Sequence, residues 1–366
     1  MLHDNGAMSF RIATFNAENL MERFDFTSAR GDDAVLSEVM RFAHDDDSRQ
    51  LKALAIAACR ADIVVLQEVE NEKALRQFQN AYLYPMTGVS YPQIALREGN
   101  DRRGIDVALM ARDTTAAGES IEIVRITSHR DARYATADVF DDALKAAGVH
   151  PNERLFKRDC LEVDLRIGGK PLTVYCVHFK SMGASRGETS GRERTRAIRA
   201  AEARAVRGLI EARFGDRSDR MRWIIAGDLN DYDERIAIVA DPPVFKPMPD
   251  DASALEVLVG SGFGHNLASR LPPMERWTLF HASGEAFSAA EPFQRPVRHL
   301  VQLDYLLASP ALAQANPDAV PDIVRNGQPY RVPMPDGQGA ERWPRIGWTR
   351  PKGSDHCPVA VTLRLG

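Results

Sequence analysis

The stretch CLEVDLRIGGKPLTVYCVHF, Cys160 to Phe179, decides the fold. In its first half Leu161, Val163, Leu165 and Ile167 alternate with Glu162, Asp164 and Arg166, the two-residue period of a strand with one apolar face. Gly168-Gly169 follows, a pair that takes positive φ without steric cost, and Leu172 to Phe179 is apolar again. The stretch is therefore a β-hairpin with one face open to solvent or covered by helices.

Working outward, short apolar runs bounded by turn signals recur at Phe10 to Phe15, Ile63 to Leu66, Ile105 to Met110, Ile121 to Ile126, Trp223 to Ala226, Leu303 to Ala308 and Val359 to Leu363. Helical patterns lie between them at Ser48 to Arg60, Lys73 to Asn80 and Arg192 to Phe214, the last rich in Ala, Arg and Glu and stopped by Gly215. Strands that come both as hairpins and separated by helices predict an α/β fold of two packed sheets with helices outside, not one doubly wound parallel sheet.

Ser128 to Glu153 and Pro310 to Gly353 fit no element. Segments of that length are uncommon unless they serve a function, so both are expected as insertions that shape a substrate cleft. There is no internal repeat and no Ser/Gly linker. One domain over residues 10–366 is expected, after a flexible start at residues 1–9, with insertions near 128–153 and 310–353.

Of the 366 residues, 44% are hydrophobic and 27% charged, which argues against disorder and against a coiled coil. No apolar run approaches the roughly 20 residues needed to span a bilayer. Met1 to Phe10 has neither a basic n-region nor a hydrophobic h-region, so a cytoplasmic protein with no membrane span is expected. Cys59, Cys160, Cys176 and Cys357 form no CxxC pair and sit in or beside apolar runs, as buried thiols do.

A formal net charge of -4 excludes a molecule that binds nucleic acid over its whole surface. Any basic footprint must be local. Between Ser185 and Arg222, eleven arginines face six acids. Two readings stand: a stripe that tracks a phosphate backbone, or a solvated helix laced with i,i+4 pairs.

Acids and amides recur at strand ends: Asn16 and Glu18 after Arg11 to Phe15, Glu68 after Asp62 to Leu66, Asp228 and Asn230 after Trp223 to Ala226. One such residue is usually a cap or turn former. Five in matching positions form a pattern, and their hard oxygens suit Mg²⁺ or Mn²⁺ with open coordination. Histidines complement them: His178 closes the hairpin's second strand, and His356 follows Asp355 just before the last strand. A histidine beside an acid is a candidate general acid, base or phosphate donor.

The motifs Thr14-Phe15-Asn16-Ala17-Glu18-Asn19-Leu20, Leu66-Gln67-Glu68-Val69, Gly104 to Leu109, Val177-His178-Phe179-Lys180-Ser181, Gly227-Asp228-Leu229-Asn230-Asp231, Leu303-Asp304-Tyr305 and Gly353 to Pro358 occur in one order along the chain. In this set and order the chain resembles the endonuclease/exonuclease/phosphatase superfamily, and most of all its bacterial nuclease-like members. The resemblance implies a four-layered α/β sandwich, two mainly antiparallel sheets face to face with helices on both outer sides. It further implies that Glu68 is the principal metal carboxylate, with Asn16, Glu18 and Asp355 beside it, for Mg²⁺ or Mn²⁺ with Ca²⁺ as a third candidate.

By the same resemblance Asp228 and Asn230 orient or deprotonate the attacking water and hold the phosphate. His356 contacts the scissile phosphate, Asp304 fixes its tautomer, and His178 stands near the leaving group. Val177 replaces the Asn or Thr that precedes this histidine elsewhere in the family, and Asp106 is placed to orient His178. The implied reaction is metal-dependent hydrolysis of a phosphodiester by in-line attack of water.

Nucleic acid is the first candidate substrate, with Lys180, Arg192, Arg196 and Arg199 lining its groove, the three arginines sharing one helical face. A small-molecule or lipid-headgroup phosphodiesterase or phosphatase is the alternative, favoured by the acidic net charge and the two insertions. A silent binding protein on the same fold would be expected to have lost an acid or a histidine, and every key position is filled. No obligate protein partner is evident.

Overall fold

The hairpin at Cys160 to Phe179 is one edge-to-edge pair in a molecule whose layers follow from which side chains point where. A computed structural model of the chain describes residues 8–22, 38–183, 191–240, 242–250, 253–283 and 297–366. Its strands in chain order are β1 (Ser9–Leu20), β2 (Ile63–Val69), β3 (Gln93–Leu96), β4 (Asp106–Ala111), β5 (Ile121–Ser128), β6 (Cys160–Ile167), β7 (Lys170–His178) and β8 (Trp223–Asp228). There follow β9 (Glu234–Ile238), β10 (Phe245–Pro249), β11 (His265–Asn266), β12 (Leu279–Ser283), β13 (Val297–Val301), β14 (Asp304–Ala308), β15 (Asp322–Ile323) and β16 (Val359–Arg364).

Two six-stranded sheets carry the fold, in the orders β15-β16-β1-β2-β4-β3 and β11-β14-β8-β7-β6-β5. Each has one parallel pair, β1 with β2 and β7 with β8, and is otherwise antiparallel. Alternation along each strand assigns the layers. Ile63 and Val65 of β2 meet Leu172, Val174 and Cys176 of β7 in one core between the sheets. Val64 and Leu66 face the other way, onto Ala53 and Ile56 of α1 (Glu38–Ala58) and Cys59 just after it. Tyr175 and Val177 likewise face Ala205, Val206 and Ile210 of a long helix, Gly191–Phe214. The order of layers is helix, sheet, sheet, helix, as the superfamily resemblance implies, and all four cysteines are buried free thiols.

A third sheet of four strands, order β10-β9-β13-β12, was not expected from the sequence. Its strands mix apolar residues with Glu234, Arg235, Lys246 and His281, so none shows a clean two-residue period. Pro247 and Pro249 place β10 at the sheet's edge, where a missing N–H costs nothing. This sheet packs Ile236, Phe280 and Leu300, with Trp277 just before β12, on Val332 and Cys357 and lies beside the C-terminal motif.

Of the expected flexible start, residues 1–7 lie outside the described residues, while Ser9 is already paired with Arg364 in β1. Residues 128–153 hold a short helix, Asp142–Ala146, whose Asp141 cap accepts from Leu144 N at 2.9 Å. Its Leu144 joins Tyr134 and Val139 in the cluster under the long helix. Residues 310–353 hold one helical turn, Pro310–Gln314, and the short β15.

One glycine fixes the end of β8. Gly227 has φ +153 and stands opposite Val177, and an added Cβ would lie 1.9 Å from Val177 O. Gly227→Ala is expected to destabilise the protein by about 4 kcal/mol. Urea unfolding followed by circular dichroism checks this, and a midpoint like wild type would contradict the close approach of β7 and β8.

Candidate active site

The ends of β7, β8 and β14 lie side by side, and register does the positioning. Asp228 is paired with His178 on one side and with Asp304 on the other, so three strand ends present a row of His178, Asp228 and Asp304. His356 reaches that row from the loop before β16, where Leu279 of β12 bridges to it. Its Nδ1–H donates to Asp304 Oδ2 at 2.8 Å, which leaves Nε2 toward Asp228 Oδ2 at 3.8 Å. The same carboxylate oxygen accepts from Asn16 Nδ2 at 3.0 Å and lies 3.4 Å from His178 Nε2. The other, Oδ1, accepts from Asn230 N at 2.9 Å.

All four of these acids and histidines are buried, so their charges are set by one another. Burial pushes the Asp228 carboxyl up to about 7, with Asp304 adding to the rise and His356 opposing it. Burial works against the charged form of His356, but Asp304 and Asp228 outweigh it and hold the imidazole well above its ordinary value. His178 goes the other way, lowered by burial first and then by Arg158, His356 and Arg103. Two histidines around one carboxylate are thus pushed in opposite directions, His356 toward the imidazolium and His178 toward the neutral ring.

Asp106, expected to orient His178, does not. Its Oδ1 accepts from Gly99 N at 2.7 Å, and His178 Nδ1 has no hydrogen-bond partner among the described residues. Burial raises the Asp106 carboxyl to about 6. Val177 adds no hydrogen bond to replace it.

On the facing sheet, β1 and β2 end in bulges. The register shifts between Asn16 and Leu20 and again between Gln67 and Val69. Glu18, Asn19 and Glu68 there have φ of +48, +58 and +62, and Asn230 on the other sheet has +50. Such backbone is strained for Glu, and a bulge re-aims its side chain. Glu68 Oε2 accepts from Asn19 N at 3.0 Å. Its carboxyl is raised by burial and by the charge of Asp355.

Asp355 lies well below the usual carboxylate range: burial opposes this, and Lys352 and His356 overcome it. Glu68 and Asp355 are therefore two partly buried carboxylates whose charges repel, with the Asn16 amide beside Asp228. Among the described residues no three His, Cys, Asp or Glu side chains converge as a closed metal cage. Two carboxylates plus an amide oxygen instead fit a hard cation that keeps water ligands.

Glu18 reaches the C-terminal loop. Its Oε1 is paired with Lys352 Nζ at 2.9 Å and Arg350 Nη2 at 3.2 Å, and its Oε2 accepts from Asp355 N at 3.2 Å. With these partners it ties β1 to the C-terminal loop. Asn16 connects the same parts, accepting from Glu18 N at 3.0 Å while donating to Asp228.

Two of the arginines expected in a substrate groove are also structural. Arg199 is fully buried, with Nε 3.0 Å from Asp231 Oδ2 and Nη2 donating to Arg192 O. Arg192 binds Asp231 and Asp250 and stacks on the Tyr232 ring at 3.7 Å. The helical face that brings Arg192 and Arg199 together points at Asp231, not at solvent. Arg196 is exposed and 3.5 Å from Glu193, and Arg207 pairs with Glu211, so the solvated side of the helix carries intrahelical pairs. Residues 185–190 of the basic segment lie outside the described residues. Lys180 is half-buried, with Nζ 3.3 Å from Ser181 Oγ, and burial and then the charge of Arg158 lower its pKa.

Sequence reasoning missed the residues that hold this set in place. Thr278 Oγ1 accepts from Leu303 N and Asp304 N, and Thr278 O accepts from Cys357 N at 2.7 Å. Gln328, inside the second insertion, donates to both Ser354 O and His356 O at 3.1 Å. Ser354 Oγ donates to Asn16 O at 2.7 Å and ties the two ends of the chain together. Arg158 Nη1 donates to Phe179 O, next to His178. The one available signal was Arg350 and Lys352 standing just before Ser354-Asp355-His356.

Geometry and family agree. The model of the Endonuclease/Exonuclease/phosphatase family matches residues 13–356, and the chain belongs to that family, whose members are in general phosphoric ester hydrolases. Among solved structures the chain is similar to a family protein from Bacteroides thetaiotaomicron at 13% identity and TM-score 0.53, covering 98% of this chain and 99% of that one. It is also similar to TDP2 from C. elegans at 12% identity and TM-score 0.50, covering 100% of this chain and 78% of that one. A family protein from Leptotrichia buccalis gives 13% identity and TM-score 0.50, covering 97% of this chain and 100% of that one. At these identities the likeness is one of fold. No curated protein matches the chain. Among the described residues no helix is long and apolar enough to cross a membrane.

The Arg199–Asp231 pair gives a direct test of the correction. Arg199→Met leaves Asp231 with Arg192 as its remaining cation, and is expected to cost about 3 kcal/mol in denaturant unfolding. The salt dependence of substrate cleavage should not change. A stable variant with a smaller salt slope would return Arg199 to the substrate groove.

Proposed function

We propose that the chain hydrolyses phosphodiesters by direct in-line attack of water, with nucleic acid as the first substrate class. In this proposal residues 10–366 act as one catalytic domain. What supports it most is the Asp228 carboxylate standing between a protonated and a neutral histidine, since hydrolysis needs one group to take a proton and others to stabilise negative charge.

Asp228, raised to about 7 by burial, takes the proton of the attacking water. His356, held as an imidazolium by Asp304, donates to a non-bridging phosphoryl oxygen. Asn230 gives one amide N–H to Phe179 O at 3.1 Å and has a second for the phosphate. Neutral His178 stands toward the leaving oxygen, with Lys180 beyond it. Glu68 and Asp355, with Asn16 beside them, would hold a divalent cation, Mg²⁺ or Mn²⁺ by their hard oxygens, and its charge would favour the anionic transition state. No covalent enzyme intermediate is needed.

The test is turnover of plasmid, single-stranded DNA, RNA and bis(p-nitrophenyl) phosphate with Mg²⁺ or Mn²⁺. Asp228→Ala should lower kcat/KM by about 10³-fold on each substrate cleaved. As Asp228 must be ionised, wild-type kcat/KM should fall as pH drops below about 7, and this acid limb should flatten in Asp228→Asn. Because His356 must be protonated, activity should fall again at alkaline pH. Unchanged turnover in both Asp228→Ala and His356→Ala would refute the site, and cleavage of the small diester alone would refute the nucleic-acid substrate.

A further inference from the structure

The row of strand ends that carries the candidate site does not stop at His178. In register β14, β8 and β7 present Asp304, Asp228 and His178, and β6 comes next, with Cys160 opposite Val177. Continued by two residues, that register puts Arg158 opposite Phe179, and Arg158 Nη1 donates to Phe179 O at 2.9 Å. The facing sheet runs the same way. Past Glu68 of β2 stands β4, whose first residue, Asp106, is opposite Val69. The turn that leads into β4, Asp101 to Gly104, is closed by Gly104 N on Asp101 O at 3.0 Å and carries Arg103. Each row therefore continues to an arginine that the hydrolytic scheme does not use.

One carboxylate joins the two. Asp101 accepts from Arg103 Nε at 3.1 Å and Nη2 at 3.0 Å, and its Oδ2 also lies 3.0 Å from Arg158 Nε. Asn100 N donates to Arg158 O at 3.0 Å, and Gly99 passes so close that an added Cβ would lie 3.0 Å from that same oxygen. The double bond to Asp101 fixes the guanidinium plane of Arg103 at a side chain that is 55% exposed. Two of its five N–H groups are engaged there, and Nη1 has no hydrogen-bond partner among the described residues.

The charges at this corner are Arg103, Arg158, Lys180 and Arg194 against Asp101, Glu68 and Glu202. Asp101 is shared between two guanidiniums. Glu202 accepts from the backbone N–H groups of Lys180 and Lys157 at 2.7 and 3.0 Å, and Glu68 is proposed for the divalent cation. Lys180 Nζ has Ser181 Oγ as its hydrogen-bond partner and no ion pair among the described residues. After burial, Arg158, His356, Arg103 and Lys180 lower His178 in that order, so all three cations border the space at His178.

A fixed, half-exposed guanidinium beside a half-buried ammonium suits a phosphate, which takes directed bonds from arginine and a point charge from lysine. We propose that Arg103 and Lys180 bind a second phosphate of the substrate, the one next to the scissile phosphate on the leaving-group side of a nucleic-acid strand. This inference rests on the phosphodiesterase reading, in which His178 marks the leaving-group side, and adds which flanking phosphate is held. Asp101 and Arg158 do not touch the strand; they are positioning residues that hold Arg103. A diester without the second phosphate gains nothing from this corner.

Dithymidine monophosphate with no terminal phosphate, with one at its 5′ end and with one at its 3′ end separates the cases. Only one end lies on the leaving-group side, so one of the two phosphorylated forms should be cleaved with kcat/KM about tenfold higher than the bare dinucleotide, mainly through KM. Arg103→Gln should bring that ratio to about one, and Lys180→Gln should lower it. Binding is read apart from turnover in Asp228→Ala, which should hold a fluorescein-labelled single strand without cleaving it. There the slope of log Kd against log salt, measured by anisotropy, should shrink by about one when Arg103→Gln is added. Equal kcat/KM for the three dinucleotides, a preference that survives Arg103→Gln, or an unchanged salt slope overturns the subsite. Cleavage without preference would leave the phosphodiesterase reading intact, and a smaller slope without any turnover would refute that reading while leaving the subsite standing.

Discussion

The hydrogen bond from His356 Nδ1 to Asp304 Oδ2, buried at the junction of the two large sheets, is the constraint on which the rest depends. It keeps an imidazolium next to a carboxylate that burial would otherwise neutralise, and so lets Asp228 and His356 hold opposite charges where neither would be stable alone. Without Asp304, burial would favour the neutral imidazole, as it does for His178. Asymmetry between the two histidines comes from their surroundings: Asp304 hydrogen-bonds His356, whereas burial, with the charges of Arg158, His356 and Arg103, lowers His178.

Much of the architecture can be understood as holding that pair. Asp304 and Asp228 are opposite one another because β14 and β8 are antiparallel in that register, and His178 is opposite Asp228 because β7 and β8 are parallel. Gly227 allows the close passage of β7. Asn16 comes from the other sheet and closes the row, so the site spans the seam between the two sheets. Residues near the chain's two ends, Asn16 and Ser354, are joined by a hydrogen bond, which makes the site depend on the whole chain being folded. The third sheet and the second insertion add their support from outside through Thr278 and Gln328.

The nine strands read from the sequence are present, because each is a run buried on both faces or with a regular period. The third sheet was hidden because its strands are short, mixed in polarity and, in β10, broken by prolines. The same contrast holds at the site. Asp228, His356, Asp304 and His178 were legible because acids and histidines at the ends of apolar strands are conspicuous. The partners of Glu18 and Arg199 were not legible, because sequence shows a residue's type and spacing but not what it meets. Glu18 is met by Lys352 and Arg350 from the far end of the chain, and Arg199 by Asp231 from a different element. Asp106 likewise has a partner that the sequence did not show, Gly99 N–H, while His178 Nδ1 has no hydrogen-bond partner among the described residues.

The central claim is that the two histidines at Asp228 differ in charge at neutral pH, and ¹⁵N-resolved NMR of the imidazole side chains measures this directly. With His178→Gln and His356→Gln used for assignment, the account predicts that at pH 7 His356 shows both ring nitrogens protonated while His178 shows a neutral ring. A neutral His356, or a protonated His178, would contradict it.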